Sequence, residues 1–316
     1  MLSGVPSNRR VTSFRGLNMD FSKPATTCDE QISLLRDRGM RIDDPSAARH
    51  YLQHINYYRL RAYWLPFEVD RQSHLFRAGT TFKDALALYI FDRELRLLLL
   101  DAIERIEVSV RTQWAYYMAH QYGPHSYLDA GFARRGDWHA RNLAILLDEV
   151  ARSDEVFIEH YRNTYTQPES PPIWAVCEVM SLGVLSRWLT NLRPSDRTRI
   201  AAVYGLDERV FQAFVRQLTY LRNLCAHHGR VWNRRLTITL KVPRNKPAWL
   251  HSSFAPAGDR RIYNSIVMML YYLDLISPGH HWRSRFFDLV EKHDVDLEQM
   301  GFPAEFRNHR IWQPNG

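Results

Sequence analysis

The stretch FKDALALYIFDRELRLLLLDAIERIEVSVRTQWAYYMAHQYG, from Phe82 to Gly123, constrains the fold of this chain more than any other. Leu86, Ile90, Leu97, Leu100, Ile103 and Val110 recur in it at helical spacing, and no proline interrupts it. Thr81 to Asp84 reads as its start. A helix of that length with an apolar face is unstable alone and must be covered by others. The pattern therefore predicts an all-α chain built around one long helix.

The rest of the sequence supplies the covering helices. Thr27 to Glu30 is a capping box that opens a short helix ending at Gly39. Asp44-Pro45 is a second start, and the spacing predicts one helix from there through HYLQHINYYRLRAYWLPF to about Pro66. A loop or small hairpin around HLFRAGTTF follows. Beyond the long helix, further helices are expected over 137–152, 154–165, 172–192, 195–204 and 207–228. TITLKV, from Thr237, alternates like a short strand, and two more helices cover DRRIYNSIVMMLYYLDLI and RSRFFDLVEKHD. The expected organisation is a loose basic terminus (1–25), a small helical extension (26–80), a main helical domain (81–295) and a C-terminal tail (296–316).

Charge points to an anionic partner. The net charge is +8, and 37 of the 42 basic residues are arginine. The guanidinium suits phosphate and base stacking, so nucleic acid ranks first; a codon bias of the genome would give the same composition. The opening MLSGVPSNRRVTSFRG lacks the apolar core of a signal peptide, and no apolar run approaches the ~20 residues of a membrane helix. Cys28, Cys177 and Cys225 show no paired spacing. These features predict a cytoplasmic protein in a reducing compartment, with no membrane partner. Phosphate-loop, Rossmann, zinc-protease and calcium-loop motifs are missing, so neither a metal nor a small-molecule cofactor is expected.

The helix from Asp207 carries a buried stripe of Val210, Phe214, Leu218, Leu221 and Cys225, then ends in RNLCAHHGR. Gly229 suits its C-terminal cap, which puts His227 and His228 in the last turn. Asn223 and His227, four apart, share a face; Arg222 lies about 140° round from His227 and is long enough to curl back. Such a cluster fits RNA cleavage, in which histidine takes the 2′-hydroxyl proton and arginine neutralises the phosphate. A helix end favouring histidines through its dipole, beside an ion-pairing arginine, explains the same residues. Spacing does not decide between them: roughly five Arg–His pairs with four to six residues between them are expected by chance. Arg49/His54, Arg134/His139 and Arg244/His251 also match.

The wording around the pair is more specific. Arg222-Asn223-x-x-x-His227-His228, followed by Arg230, Trp232, Asn233 and Arg234, resembles the Abi-like proteins of bacteria, abortive-infection phage-resistance proteins of the AbiD and AbiF type. INYYRLRAYWLPF, FDRELRLLLLDAIERIEVSVR and PPIWAVCEVMSLGVLSRWL agree with that family, so the likeness runs from about 30 to 275. The resemblance implies a HEPN-type helical bundle and a metal-independent ribonuclease. It makes Arg222 and His227 the catalytic pair, Asn223 an orienting residue and His228 a second candidate histidine. It also implies a homodimer, since HEPN sites are built from two motifs facing across an interface.

Other residues complete the candidate site. Arg230, Arg234 and Arg235 follow the cluster as expected phosphate contacts. Glu104, Glu107 and Arg111 share a face of the long helix, and either hold Arg222 or form local ion pairs on a solvated surface. Arg59, within the aromatic–arginine run Tyr57–Trp64, either grips RNA or belongs to a core stripe with its charge reaching out. Glu178, set among apolar residues, is expected to pair with a buried arginine. The leading expectation is RNA cleavage in phage defence; a non-catalytic RNA holder and a protein-interaction module are the rivals.

Overall fold

The structure, a computed structural model, describes residues 24–70, 72–256 and 260–313. The terminus expected to be loose lies outside the described residues as far as 23. Among the described residues the chain is all-α, with thirteen α-helices, six short 3-10 turns and no strand. It divides after Lys83 into two compact units.

The first unit holds α1 (Cys28–Asp37), α2 (Pro45–His54) and α3 (Tyr57–Trp64). Its caps follow from the sequence. The Glu30 N–H donates to Thr27 Oγ1 at 3.2 Å, and Glu30 Oε2 accepts from the Thr27 N–H. Asp44 accepts from the Ala47 N–H at 2.9 Å, with Pro45 at the first helical position. The single helix expected to run to Pro66 is two. Ile55 turns extended, and the Asn56 side chain accepts the Tyr58 N–H at 2.9 Å, starting α3 afresh. An asparagine that can cap competes with helix continuation. The aromatic–arginine run contributes Tyr63 and Trp64 to the core, while Tyr58 and Arg59 face out. Of the loop or small hairpin expected around HLFRAGTTF, the structure has a loop with one isolated Glu68–Phe76 bridge.

The second unit is organised by α4 (Phe82–Tyr122), the long helix foreseen above. Its buried face keeps Ile103 and Val110 of the expected stripe, while Leu86, Ile90 and Leu100 are half-buried. Phe91, Leu95, Leu98, Leu99, Ala102, Ile103, Ile106, Val110 and Trp114 are buried, whereas Leu97 is 62% exposed. Around it come α5 (Gly136–Ala151), α6 (Val156–Thr164), α7 (Ile173–Val179) and α8 (Leu182–Asn191). Then follow α9 (Pro194–Val203), α10 (Glu208–Ala226), α11 (Ala248–His251), α12 (Tyr263–Ile276) and α13 (Trp282–His293). α12 is buried on nearly all sides and forms the centre of the core.

Two more expectations change here. The helix predicted over 172–192 splits at Met180, because Ser181 caps α8 by accepting the Val184 N–H at 3.4 Å. TITLKV is irregular and pairs with no strand among the described residues. The C-terminal stretch read as a tail buries Met300, Phe302, Phe306, Ile311 and Trp312. Phe302 and Phe306 pack on Tyr263 of α12, with ring centroids 4.8 and 6.5 Å away.

Candidate functional site

α10 positions the Arg–His cluster. Asp207 caps its start by accepting the Arg209 N–H at 2.9 Å. Every residue of the expected stripe, from Val210 to Cys225, is buried, which fixes the rotation of the helix. Arg222 and Asn223 are left in solvent one turn before the end. Arg222 Nη1 donates to Asn223 Oδ1 at 3.3 Å, so the two polar groups form a unit.

The helix stops at Ala226. His227 is its C-cap, and His228, just beyond, takes the left-handed conformation at φ 57°. The left-handed position is therefore His228 and not Gly229 as expected. The His228 N–H donates to the Cys225 carbonyl at 3.1 Å, and the Gly229 N–H to the Leu224 carbonyl at 2.8 Å. This is the paired closure of a Schellman turn. Gly229 serves it through size: a Cβ there would meet Leu224 Cδ1 at 2.3 Å. Both histidines consequently sit at a rigid, exposed helix end.

A second device, absent from the sequence reading, holds the loop that follows. Asp92 and Arg96 of α4 form a buried pair, Nη1 to Oδ2 at 2.5 Å, with side-chain exposures of 0% and 4%. Asp92 Oδ1 also accepts the backbone N–H groups of Val231 and Trp232 at 3.1 and 2.6 Å. Arg96 Nη1 donates to the Gly229 carbonyl at 3.4 Å. A carboxylate that would be costly to bury alone is thus satisfied by a cation and two amides. Val231, Trp232 and Leu236 fill the core beneath the loop. The only local signal in the sequence is an Asp and an Arg four apart inside the apolar run YIFDRELRLLLL.

Of the expected phosphate contacts, Arg235 is exposed, while Arg230 and Arg234 are half-buried. Arg234 lies beside Tyr220: burial pushes that phenol up, but the neighbouring Thr237 and Arg234 outweigh it and leave its pKa below the ordinary value. Cys225, beneath the cluster, is no nucleophile at neutral pH. Burial, with the Asp92 charge, pushes its thiol up to about 12.

Other expected members lie elsewhere. Arg111 pairs with Glu107 and donates to the Cys177 and Glu178 carbonyls at 2.8 and 2.9 Å, closing the end of α7. Glu107 thus takes Arg111, and Glu104 is exposed. The buried salt bridge expected of Glu178 is replaced by this carbonyl contact; its side chain is exposed. Arg59 belongs to the first unit. Among the described residues no three His, Cys, Asp or Glu side chains are grouped to hold a metal ion, and no helix is long and apolar enough to cross a membrane.

Residues 50–233, more than half of the chain, match the model of a family described as Abi-like protein. The matched stretch includes the Asp92–Arg96 pair and ends just past Trp232, so it covers both the cluster and its anchor. No curated protein and no solved structure matches the chain.

Proposed function

Because the chain belongs to the Abi-like protein family, which suggests a part in abortive-infection defence against phage, we propose that it arrests the infected cell by cleaving RNA, with Arg222 and His227 as the catalytic pair. The observation that carries this reading is the exposed Arg222–Asn223–His227–His228 cluster, held at a closed helix end above a buried anchor. A reacting pair needs both access and rigidity.

In this reading His227 removes the 2′-hydroxyl proton, and the 2′-oxygen attacks the adjacent phosphorus. Arg222 neutralises the charge that builds on the phosphoryl oxygens. The bond from phosphorus to the 5′-oxygen breaks, and His228 in its protonated form returns a proton to that oxygen. The products are a 2′,3′-cyclic phosphate and a 5′-hydroxyl. Asn223 orients the arginine through the hydrogen bond it already makes. Arg230, Arg234 and Arg235 serve as phosphate contacts, and Arg59 of the first unit is a separate RNA contact. The bundle is of the HEPN type and acts as a symmetric homodimer, with two clusters near the two-fold axis.

Purified protein incubated with RNA in EDTA tests the chemistry. Cleavage with cyclic phosphate ends, absent on a 2′-deoxy substrate and lost in Arg222→Ala and His227→Ala, is expected. Cutting of DNA, or a strict need for Mg²⁺, overturns the mechanism. RNA that co-purifies uncut and survives incubation favours a protein that only holds RNA.

A further inference from the structure

A groove of about 710 Å³ runs between α5, α8 and α10 in the second unit, and no acidic residue lines it among the described residues. Five cations do: Arg141 from α5, Arg187 from α8, Arg209 and Arg216 from α10, and Lys241 from the irregular segment once read as a strand. They come from four places in the chain, so composition alone does not explain their convergence. Carboxylates sit at the edges: Glu208 pairs with Arg197 and, at 3.6 Å, with Arg209, and Asp137 pairs with Arg135 and Arg141. Between those edges Arg187, Arg216 and Lys241 leave the groove with an excess of positive charge. Trp138 adds an aromatic plane at one side, 38% exposed, with the Arg135 guanidinium 4.5 Å from its ring centre.

The groove also has a direction. Arg209, Arg216 and Asn223 are spaced by seven residues, so they share one face of α10, and His227 continues it four residues on. From Arg209 to Asn223 the helix rises about 21 Å, the reach of a few nucleotides of extended strand. Gln212 and Ala213 floor the groove between the cations. α8 closes its other side along this path: a Cβ on Gly183 would lie 3.8 Å from Thr219.

We propose that this groove is the track for a single RNA strand: Arg187, Arg209, Arg216 and Lys241 grip successive phosphates, Trp138 stacks a base, and the α10 face leads the strand to the Arg222–His227 cluster. The proposal rests on the RNA-cleaving reading for its direction, but not for its binding. Repeating charge at helical intervals with no carboxylate between fits a polyanion of regular spacing. An acidic protein segment offers neither that spacing nor a base for the indole.

An RNA oligonucleotide of about twenty residues, fully 2′-O-methylated so that it cannot be cut, separates binding from cleavage. Its affinity for the full chain is measured by fluorescence anisotropy across a salt series. The double change Arg187→Glu/Arg216→Glu should weaken binding about tenfold or more and reduce the slope of log affinity against log salt by roughly 1.4, two single-strand phosphates at about 0.7 each. Arg187→Lys/Arg216→Lys should stay near wild type, and Trp138→Ala should lose affinity without changing the slope. Circular dichroism melts check that each variant folds. If charge reversal disturbs the fold, photo-crosslinking of 4-thiouridine RNA to the wild-type chain reads the same contact, and tryptic peptides carrying Trp138 or Arg216 should be labelled. Wild-type protein that does not bind, affinity unchanged in the charge reversal, or an acidic polypeptide that competes as well as RNA, each overturns the groove. Binding as expected with no cleavage of ordinary RNA overturns the catalytic reading and leaves the groove standing.

Discussion

The Asp92–Arg96 anchor gives the sharpest test of how the cluster is held. Consider Asp92→Ala. It removes one partner of a fully buried ion pair and leaves the Arg96 guanidinium, 4% exposed, without its carboxylate. Breaking such a pair from one side costs about 3–5 kcal/mol. The Val231 and Trp232 N–H groups lose their acceptor as well, at about 1–3 kcal/mol for each that stays buried and unpaired. Some of this is recovered as water enters, so the expected loss is roughly 4–6 kcal/mol, a large fraction of the ~5–15 kcal/mol that holds a domain. At about 2–4 °C per kcal/mol for a unit of this size, Tm should fall by on the order of 10–20 °C.

Differential scanning calorimetry reads that shift directly, and two further variants divide it. Asp92→Asn keeps an oxygen for the two amides but not the charge, so it should fall between wild type and Asp92→Ala. Asp92→Leu/Arg96→Met removes both charges; it should regain much of the stability, because an apolar pair of similar volume often replaces a buried ion pair at no loss. The loop should still be loosened in that double variant, since its amides have no acceptor, and limited proteolysis should cut near Arg230 or Arg234 faster than in wild type. An Asp92→Ala protein melting within about 2 °C of wild type would refute the reasoning, because it would mean that the loop is held by Trp232 and its neighbours alone.

Other consequences follow from the same geometry. Arg222→Ala and His227→Ala remove exposed side chains, so each should lose activity while shifting stability by no more than about 0.5 kcal/mol; a collapse in Tm would make the cluster structural. Cys177 and Cys225, whose thiols burial pushes up to about 12, should resist iodoacetamide at neutral pH in the native state and react once guanidinium unfolds the chain. His280 has its pKa lowered by burial, with Arg283 also opposing its charge and Asp274 partly favouring it. The folded state therefore favours the neutral ring. Its contribution is full above the unfolded value near 6.5 and is lost as pH falls below it, so melts from pH 7.5 to 5.5 should show a decline that His280→Asn flattens. The phenols of Tyr117 and Tyr122, which both donate to Asp196, are raised by burial and by that carboxylate. Stability should then decline as pH rises above about 10, where the unfolded chain ionises first, and Tyr117→Phe should soften that decline.

What the sequence made legible was local. The Thr27–Glu30 box, the Asp44-Pro45 start and the buried stripe of α10 each depend on residues within a few turns of one another, and each is found as read. The two helix breaks were missed for a related reason. Asn56 and Ser181 sit inside patterns whose periodicity continues across them, and only the side chain's choice to cap the next helix ends the previous one. The long helix shows a different failure. With leucines from Leu97 to Leu100 on all sides, its apolar face had no unique solution from spacing alone, and the neighbours that cover it settled the matter in favour of Leu98 and Leu99. For the candidate site, Arg222, Asn223, His227 and His228 fall within seven residues and so are visible as a group. Asp92 is not: it meets the Val231 amide across 139 positions, and no periodicity carries that information. The basic groove is more distant still from a linear reading, because Arg141, Arg187, Arg216 and Lys241 stand tens of residues apart and become one surface only when α8 lies between α5 and α10. An arginine-rich composition favoured an anionic ligand from the start, but the packing of three helices decides where such a ligand would run.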